Sequence, residues 1–361
     1  MKRLRILTSF SVLLAAGIFF FKKRVPTTLA AGKGMVIPKE WMQINKYPLT
    51  PQKDIRPADQ TFLTFPEWYL VFSPAEQAAY FKMHTATTFP YLSHTAQIWQ
   101  SYRIVYDQIK HVFPYNQGYH FMIWVIGTSA SIEYTIKASY EIVAGRISDT
   151  HEVVSSEDRF NAEFTQQYVD FIKDNPWYEF DFRTQLVRLW KSTSFTGDHL
   201  IRKLERRYIL TSELLVKIAY GKLIKMGTGT VYDAAIPTTA VLLDSVSSAN
   251  ADLSLAKKSS ENAALIYLPR YDKFAPAICA LAKKGFSFRE IAGNNSAILL
   301  TVIVPASVNV AEEGAQIVFT QPVASDPDKK RVAIATPVPN LAKLLTHLND
   351  RQIGIEHVFD Y

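Results

Sequence analysis

Two hydrophobic periods divide this chain, and the division limits its fold more than any motif does. Between residues 60 and 232 apolar side chains recur every three to four positions, as on helices; beyond 263 they form short continuous or alternating stretches, as on strands. Phe160, Phe164, Tyr168 and Phe171 share one face of a helix expected to start near Ser156. A longer helix is expected from His199 to Met226, stopping at Gly227. Ser73-Pro74-Ala75-Glu76 has the spacing of a capped start and predicts a helix over 74–84. After the small polar stretch 245–263, strands are expected at 264–268, 297–304, 316–319, 331–335 and 354–359, with helices at 272–284 and 339–351. That order predicts a split β-α-β, ferredoxin-like unit with an extra hairpin around 306–330. No internal repeat is apparent.

The N-terminus adds a third character. Ile6 to Phe21 is uncharged and mostly apolar, flanked by Arg5 and by Lys22-Lys23-Arg24. At 1.5 Å per residue the run spans roughly 24 Å, and basic side chains at its ends can snorkel toward a bilayer interface. A cleavable signal peptide is the rival reading, but a triple basic run stands where a neutral cleavage region belongs. The expected organisation is therefore α+β: a membrane anchor (1–24), a tether (25–60), an aromatic-rich helical domain (61–232), a linker (233–262) and a small ferredoxin-like α/β domain (263–361). The bulk of the chain is expected in the periplasm of a bacterium, held to the inner membrane by a single pass.

Charge excludes one class of partner. The whole chain carries +7, and residues 1–24 carry +6 of it, leaving +1 for the rest. A nucleic-acid binder needs its basic surface on the folded part, so none is expected. The lone Cys279 decides nothing about compartment.

Catalytic signatures are scarce. His84, His94, His111 and His120 lie within 37 residues, yet no pair has the spacing that puts two imidazoles on one helical face. No metal site and no cofactor is expected. Aromatic density stands out instead: residues 60–140 hold 19 of Phe, Trp and Tyr in 81 positions, against 13% for the chain, which marks this stretch as core, pocket or interfacial belt. Glu67 and Trp68 in FPEWY, with His120, Glu133, Lys137, Glu141 and Arg146, are the candidate ligand or polar-cluster residues. Glu133, Lys137 and Glu141 recur every four residues on a helix whose earlier positions, Met122, Ile126 and Ala130, are apolar or small. This helix is expected to bury its first half and meet polar partners with its second. Arg202, Lys203, Arg206 and Arg207 are expected to form a basic patch at the membrane surface.

The pieces Gly118-Tyr119-His120, Val125-Ile126-Gly127, Glu133-Tyr134, Tyr140-Glu141 and Gly145-Arg146, with FPEWY, PWYEF and Arg202 to Arg207, resemble a pattern in uncharacterised bacterial proteins that carry an N-terminal membrane anchor. The resemblance spans about residues 60–232 and implies compartment only. Two functions follow as expectations. The first is an envelope protein binding a lipid-like or protein partner near the membrane; the alternative is an enzyme using Glu67, His120, Glu133 or Glu141 as acid, base or metal ligand.

Overall fold

A computed structural model describes residues 29–30, 34–149, 154–228, 237–244, 257–260 and 263–361. The expected anchor at 1–24 lies outside the described residues, as do parts of the expected tether and linker. The fold is α+β, with helices and antiparallel sheets. It divides into two compact units, one containing Tyr69–Ala96 and Ile126–Ala234, the other Thr27–Trp68, Gln97–Val125 and Ala235–Tyr361. The helices are α1 (Gln60–Phe81), α2 (Tyr91–Ile109), α3 (Gln117–Tyr140), α4 (Ser156–Ile172), α5 (Phe182–Ser192), α6 (Leu200–Thr228), α7 (Phe274–Lys283) and α8 (Val338–Asp350). A π-helical turn, Glu141–Gly145, and a last turn, Arg146–Ser148, prolong α3.

The helical unit has an aromatic core, with Phe160, Phe164, Phe182, Leu189, Leu210 and Leu214 packed from α4, α5 and α6. Helix α4 begins at a reciprocal capping box, with Asp158 and Ser155 each bonding the other's backbone N–H. The helix expected over 74–84 is the second half of α1, which runs through Pro66 and Pro74 without stopping. Ser73 does not cap it, because its hydroxyl bonds His94 Nδ1 at 2.9 Å and Tyr134 Oη at 2.6 Å. Buried packing along α1, from Phe62, Leu63 and Phe65 to Tyr69 and Phe72, outweighs the local stop signal.

In the other unit the tether is, in its described part, an ordered arm. Gln108 Oε1 accepts from the backbone N–H of Val36, and Glu290 accepts from the N–H groups of Leu49 and Thr50 and from Thr50 Oγ1. These bonds satisfy backbone groups that a free tether would leave to water. The expected linker also holds structure: β2 (Thr238–Asp244) is a buried strand, and β3 (Lys257–Ser260) is a second strand.

The remaining strands are β1 (Leu29–Ala30), β4 (Ala263–Pro269), β5 (Phe288–Ile291), β6 (Ala297–Pro305), β7 (Gln316–Val323), β8 (Asp326–Pro337) and β9 (Ile355–Phe359). They do not make one ferredoxin-like sheet. One sheet has the order β3-β4-β2-β5 and the other β1-β7-β8-β6-β9. The split β-α-β connection expected once occurs twice. Helix α7 links β4 to β5 around β2, and α8 links β8 to β9 around β6.

The two halves repeat in detail. Strand β2 opposite β4 starts at Thr238↔Pro269, and β6 opposite β8 starts at Ala297↔Pro337. The edge strands bulge at matching places: Leu242↔Glu290 is followed by Leu243↔Phe288, and Thr301↔His357 by Val302↔Ile355. Both helices end alike, Gly285 and Gln352 turning left-handed at φ 82° and 57°. Phe286 N then donates to Leu281 O at 3.2 Å, and Ile353 N to Leu348 O at 2.9 Å. The packing is reciprocal, α7 resting on α8 and β9, and α8 on α7 and β5. An internal repeat therefore exists where none is apparent in sequence.

Candidate functional site

The helical unit inverts the usual arrangement of a surface helix. Arg202, Lys203, Arg206 and Arg207, expected on a membrane surface, are all buried. At 100° per residue they occupy one side of α6, and Ile201, Leu204, Tyr208, Leu215 and Met226 occupy the other, which is open to solvent. Within the same unit, α3 and its extension do the same, exposing Ile132, Ile136, Val143 and Ile147. The expectation that this helix buries its first half is corrected, since Phe121 and Trp124 are exposed, while Glu133, Lys137 and Glu141 of its second half do meet polar partners.

Between α3 and α6, which run antiparallel, lies a seam of ion pairs. Lys217 Nζ stands 3.1 Å from Glu133, Lys137 Nζ 2.9 Å from both Glu133 and Glu213, and Arg206 grips Glu141 with two bonds of 2.7 and 3.0 Å. Arg206 Nε also donates to Glu205 Oε2 at 2.7 Å. Arg202 holds Asp158 at 2.7 and 3.2 Å and donates to Thr87 Oγ1 at 3.1 Å. Arg207 donates to Glu157, Thr193 and the carbonyl of Ser194, with Phe195 stacked 3.8 Å over its guanidinium. Lys203 Nζ donates to the carbonyl of Thr196 at 2.8 Å.

Burial opposes the charge of Arg206, but Glu205 and Glu141 prevail and hold it firmly protonated. Likewise, desolvation of Glu133 is outweighed by Lys137 and Lys217, which keep its carboxyl below the usual carboxylate range. The π-helical turn explains how Glu141 reaches inward. A Cβ added to Gly145 would stand 2.1 Å from Glu141 Oε2, so only glycine leaves that carboxylate its place. Arg146, by contrast, is exposed and takes no part in the seam.

The other candidates fall in the strand-bearing unit. Tyr119 Oη donates to Glu67 Oε2 at 2.5 Å and meets Thr64 Oγ1 at 2.9 Å. Burial raises the Glu67 pKa, with Tyr119 and Arg270 pulling it partly back. His120 bonds Tyr102 Oη through Nδ1 at 2.8 Å and stacks on Tyr115, its pKa lowered by desolvation. Trp68 lies 3.8 Å, centroid to centroid, from His357. A shallow cavity of about 270 Å³ is lined by Lys53, Arg56, Gln60, Thr238 and Arg270. Its arginines are engaged, Arg56 with Asp360 at 3.0 Å and with Thr238 O, Arg270 with Asp360 at 2.9 Å.

One constellation joins residues that the sequence marks only as a helix start and a histidine cluster. Ser73 Oγ bonds His94 Nδ1, and His94 Nε2 stands 3.4 Å from Glu76. It has the parts of a nucleophilic triad, but Ser73 and His94 are almost wholly buried, and Tyr134 fills the position beside the hydroxyl that a substrate would need. The cluster is a hydrogen-bonded core. Among the described residues no three of His, Cys, Asp and Glu come together as metal ligands, and no helix is long and apolar enough to cross a membrane. In comparisons with known proteins, no family model, no curated protein and no solved structure matches this chain.

Proposed function

We propose that this is a membrane-anchored protein of the bacterial envelope that works by binding a lipid-like or protein partner close to the bilayer. The carrying observation is the apolar face of α3 and α6, laid over a seam whose charges are already satisfied within the fold. A helix pair that only needed to be soluble would turn those charges outward. The N-terminal apolar run supports the compartment, and the repeated split β-α-β region would serve as a module for assembly. Purification of the full chain in mild detergent, followed by native mass spectrometry, tests the reading. Bound lipid or a stoichiometric partner is the expected result; a bare monomer overturns it. Acid–base chemistry is the second reading, favoured by the enclosed Glu67 beside Tyr119. Infrared titration of the full chain against Glu67→Gln tests it, since a Glu67 band lost at the ordinary carboxylate pKa removes its basis.

A further inference from the structure

The face of α3 and α6 has a charge pattern as well as an apolar one. Exposed positions from Thr128 to Ile147 and from Leu200 to Met226 include no aspartate or glutamate, the exposed Asp198 standing just before α6. Three of them are cationic: Arg146, Lys222, which lies in line with Leu204, and Lys225, which stands at the edge in line with Arg207. The half-open carboxylate of Glu133 is already paired with Lys137 and Lys217. Beside the exposed side of α6 stand Trp190, whose Nε1 donates to Thr211 Oγ1 at 3.1 Å, and Phe195, both about half exposed. Apolar side chains with amphipathic aromatics and cations, and no free anion on either helix, complement one surface in particular. Lipid headgroups that carry negative charge attract the cations, and the acyl boundary receives the isoleucines and leucines.

We propose that the α3–α6 face lies on the surface of an anionic phospholipid bilayer. This rests on the binding reading above and narrows its partner to lipid. A protein partner or a second copy of the chain would be expected to offer, and to receive, both signs of charge around an apolar centre. The seam fits the same role: with Glu141, Glu205, Glu213 and their cations paired within the protein, the face can meet hydrocarbon without carrying unpaired charge there.

The test uses the full chain with its single cysteine removed (Cys279→Ser) and a nitroxide placed singly through Ile136→Cys, Leu204→Cys or Leu215→Cys. Arg159→Cys, exposed on α4, is the control. Because the anchor tethers every variant to the vesicle alike, only a position-specific readout counts. In vesicles of phosphatidylglycerol and phosphatidylethanolamine, the three face positions should become accessible to oxygen and shielded from a water-soluble nickel chelate, while Arg159→Cys stays open to the chelate. In phosphatidylcholine vesicles the shielding should weaken severalfold. Chelate access at the face equal to that at the control overturns the proposal. So does shielding that persists in detergent and grows with protein concentration, which would mark a second copy. Shielding only with a co-purified polypeptide also overturns it, but leaves the broader binding reading standing. A face open to the chelate in a bare monomer removes both.

Discussion

The strand-bearing unit hides mainly hydrocarbon, with Arg331, Glu290 and Asp360 among its buried exceptions, while the helical unit hides a row of arginines. Along β6 the run Ala297 to Val302 is buried on both faces of the sheet, and α8 adds Leu341, Leu345 and Leu348. Across the helical unit, Arg202, Arg206 and Arg207 are as inaccessible as those leucines. The difference follows from how each scaffold disposes of its polar backbone. A sheet with ladder bonds on both sides leaves nothing polar to satisfy, so volume and shape decide its core. A guanidinium inside a helical bundle needs two or more oxygens at set positions, so three arginines define where α3, α4 and α6 must sit.

That contrast is broken most directly at Arg206. Arg206→Ala would strand Glu141, while Glu205 keeps Ser148 and Arg202, and should cost about 3–5 kcal/mol in urea unfolding. The double change Arg206→Met with Glu141→Leu should recover most of it, because no uncompensated charge then remains. Gly145→Ala should fall in the same class, since its methyl would displace the Glu141 carboxylate. If the single change costs under 1 kcal/mol, the seam is not what orders the unit.

The repeat offers the next largest effect. Ile278 on α7 and Leu345 on α8 occupy matching places relative to their left-handed helix ends, and both are fully buried. Each truncation to alanine should cost about 2–5 kcal/mol, with the two values agreeing closely. Unequal costs in thermal or urea denaturation would mean that the halves share topology without sharing a packing environment.

How much of this was legible beforehand differs between the units for the same physical reason. The strands at 297–304 and 331–335 are read correctly because a buried strand has a continuous apolar signature that nothing else in the fold reverses. The split β-α-β connection is read once and occurs twice. Its first copy includes β2, hidden in a stretch read as linker, and the separation between equivalent residues drifts, from 59 for Thr238 and Ala297 to 67 for Gly285 and Gln352. On α6 both arcs are visible in sequence, but not which one faces inward. The default turns charge to water, and only Glu157 and Asp158 on α4 and Glu141 in the π-helical turn, all distant in sequence, reverse it. Glu133 pairs with Lys137, as a four-residue spacing on a helix allows, and Glu141 pairs with Arg206, while Glu67, Trp68 and His120 each find separate partners.

A pH experiment separates the halves of the repeat. Glu290 and His357 hold equivalent positions, and Glu290 is tied down by the N–H groups of Leu49 and Thr50. His357 is buried against Trp68, and desolvation pushes its pKa down to about 3 from 6.5. A histidine held neutral in the fold contributes stability that is complete above pH 6.5 and drains away as pH falls toward 3, by up to about 1.4 kcal/mol per pH unit. His357→Phe should flatten that slope in urea midpoints measured from pH 7 to 5. A slope unchanged by the substitution would place the acid sensitivity elsewhere.

The smallest effect is the most telling for the outward face. Ile136→Gln and Leu204→Gln change side chains that touch mainly water, so each should shift stability by no more than about 0.5 kcal/mol. At the same time each should weaken retention on a hydrophobic-interaction column, because the face loses apolar area to the matrix. A core position cannot give that pair of results: a glutamine there would cost several kcal/mol through an unpaired amide before any surface property changed. The arginines and isoleucines of α6 would then be sorted by function, the charged side selected to hold the fold and the apolar side to meet something outside it.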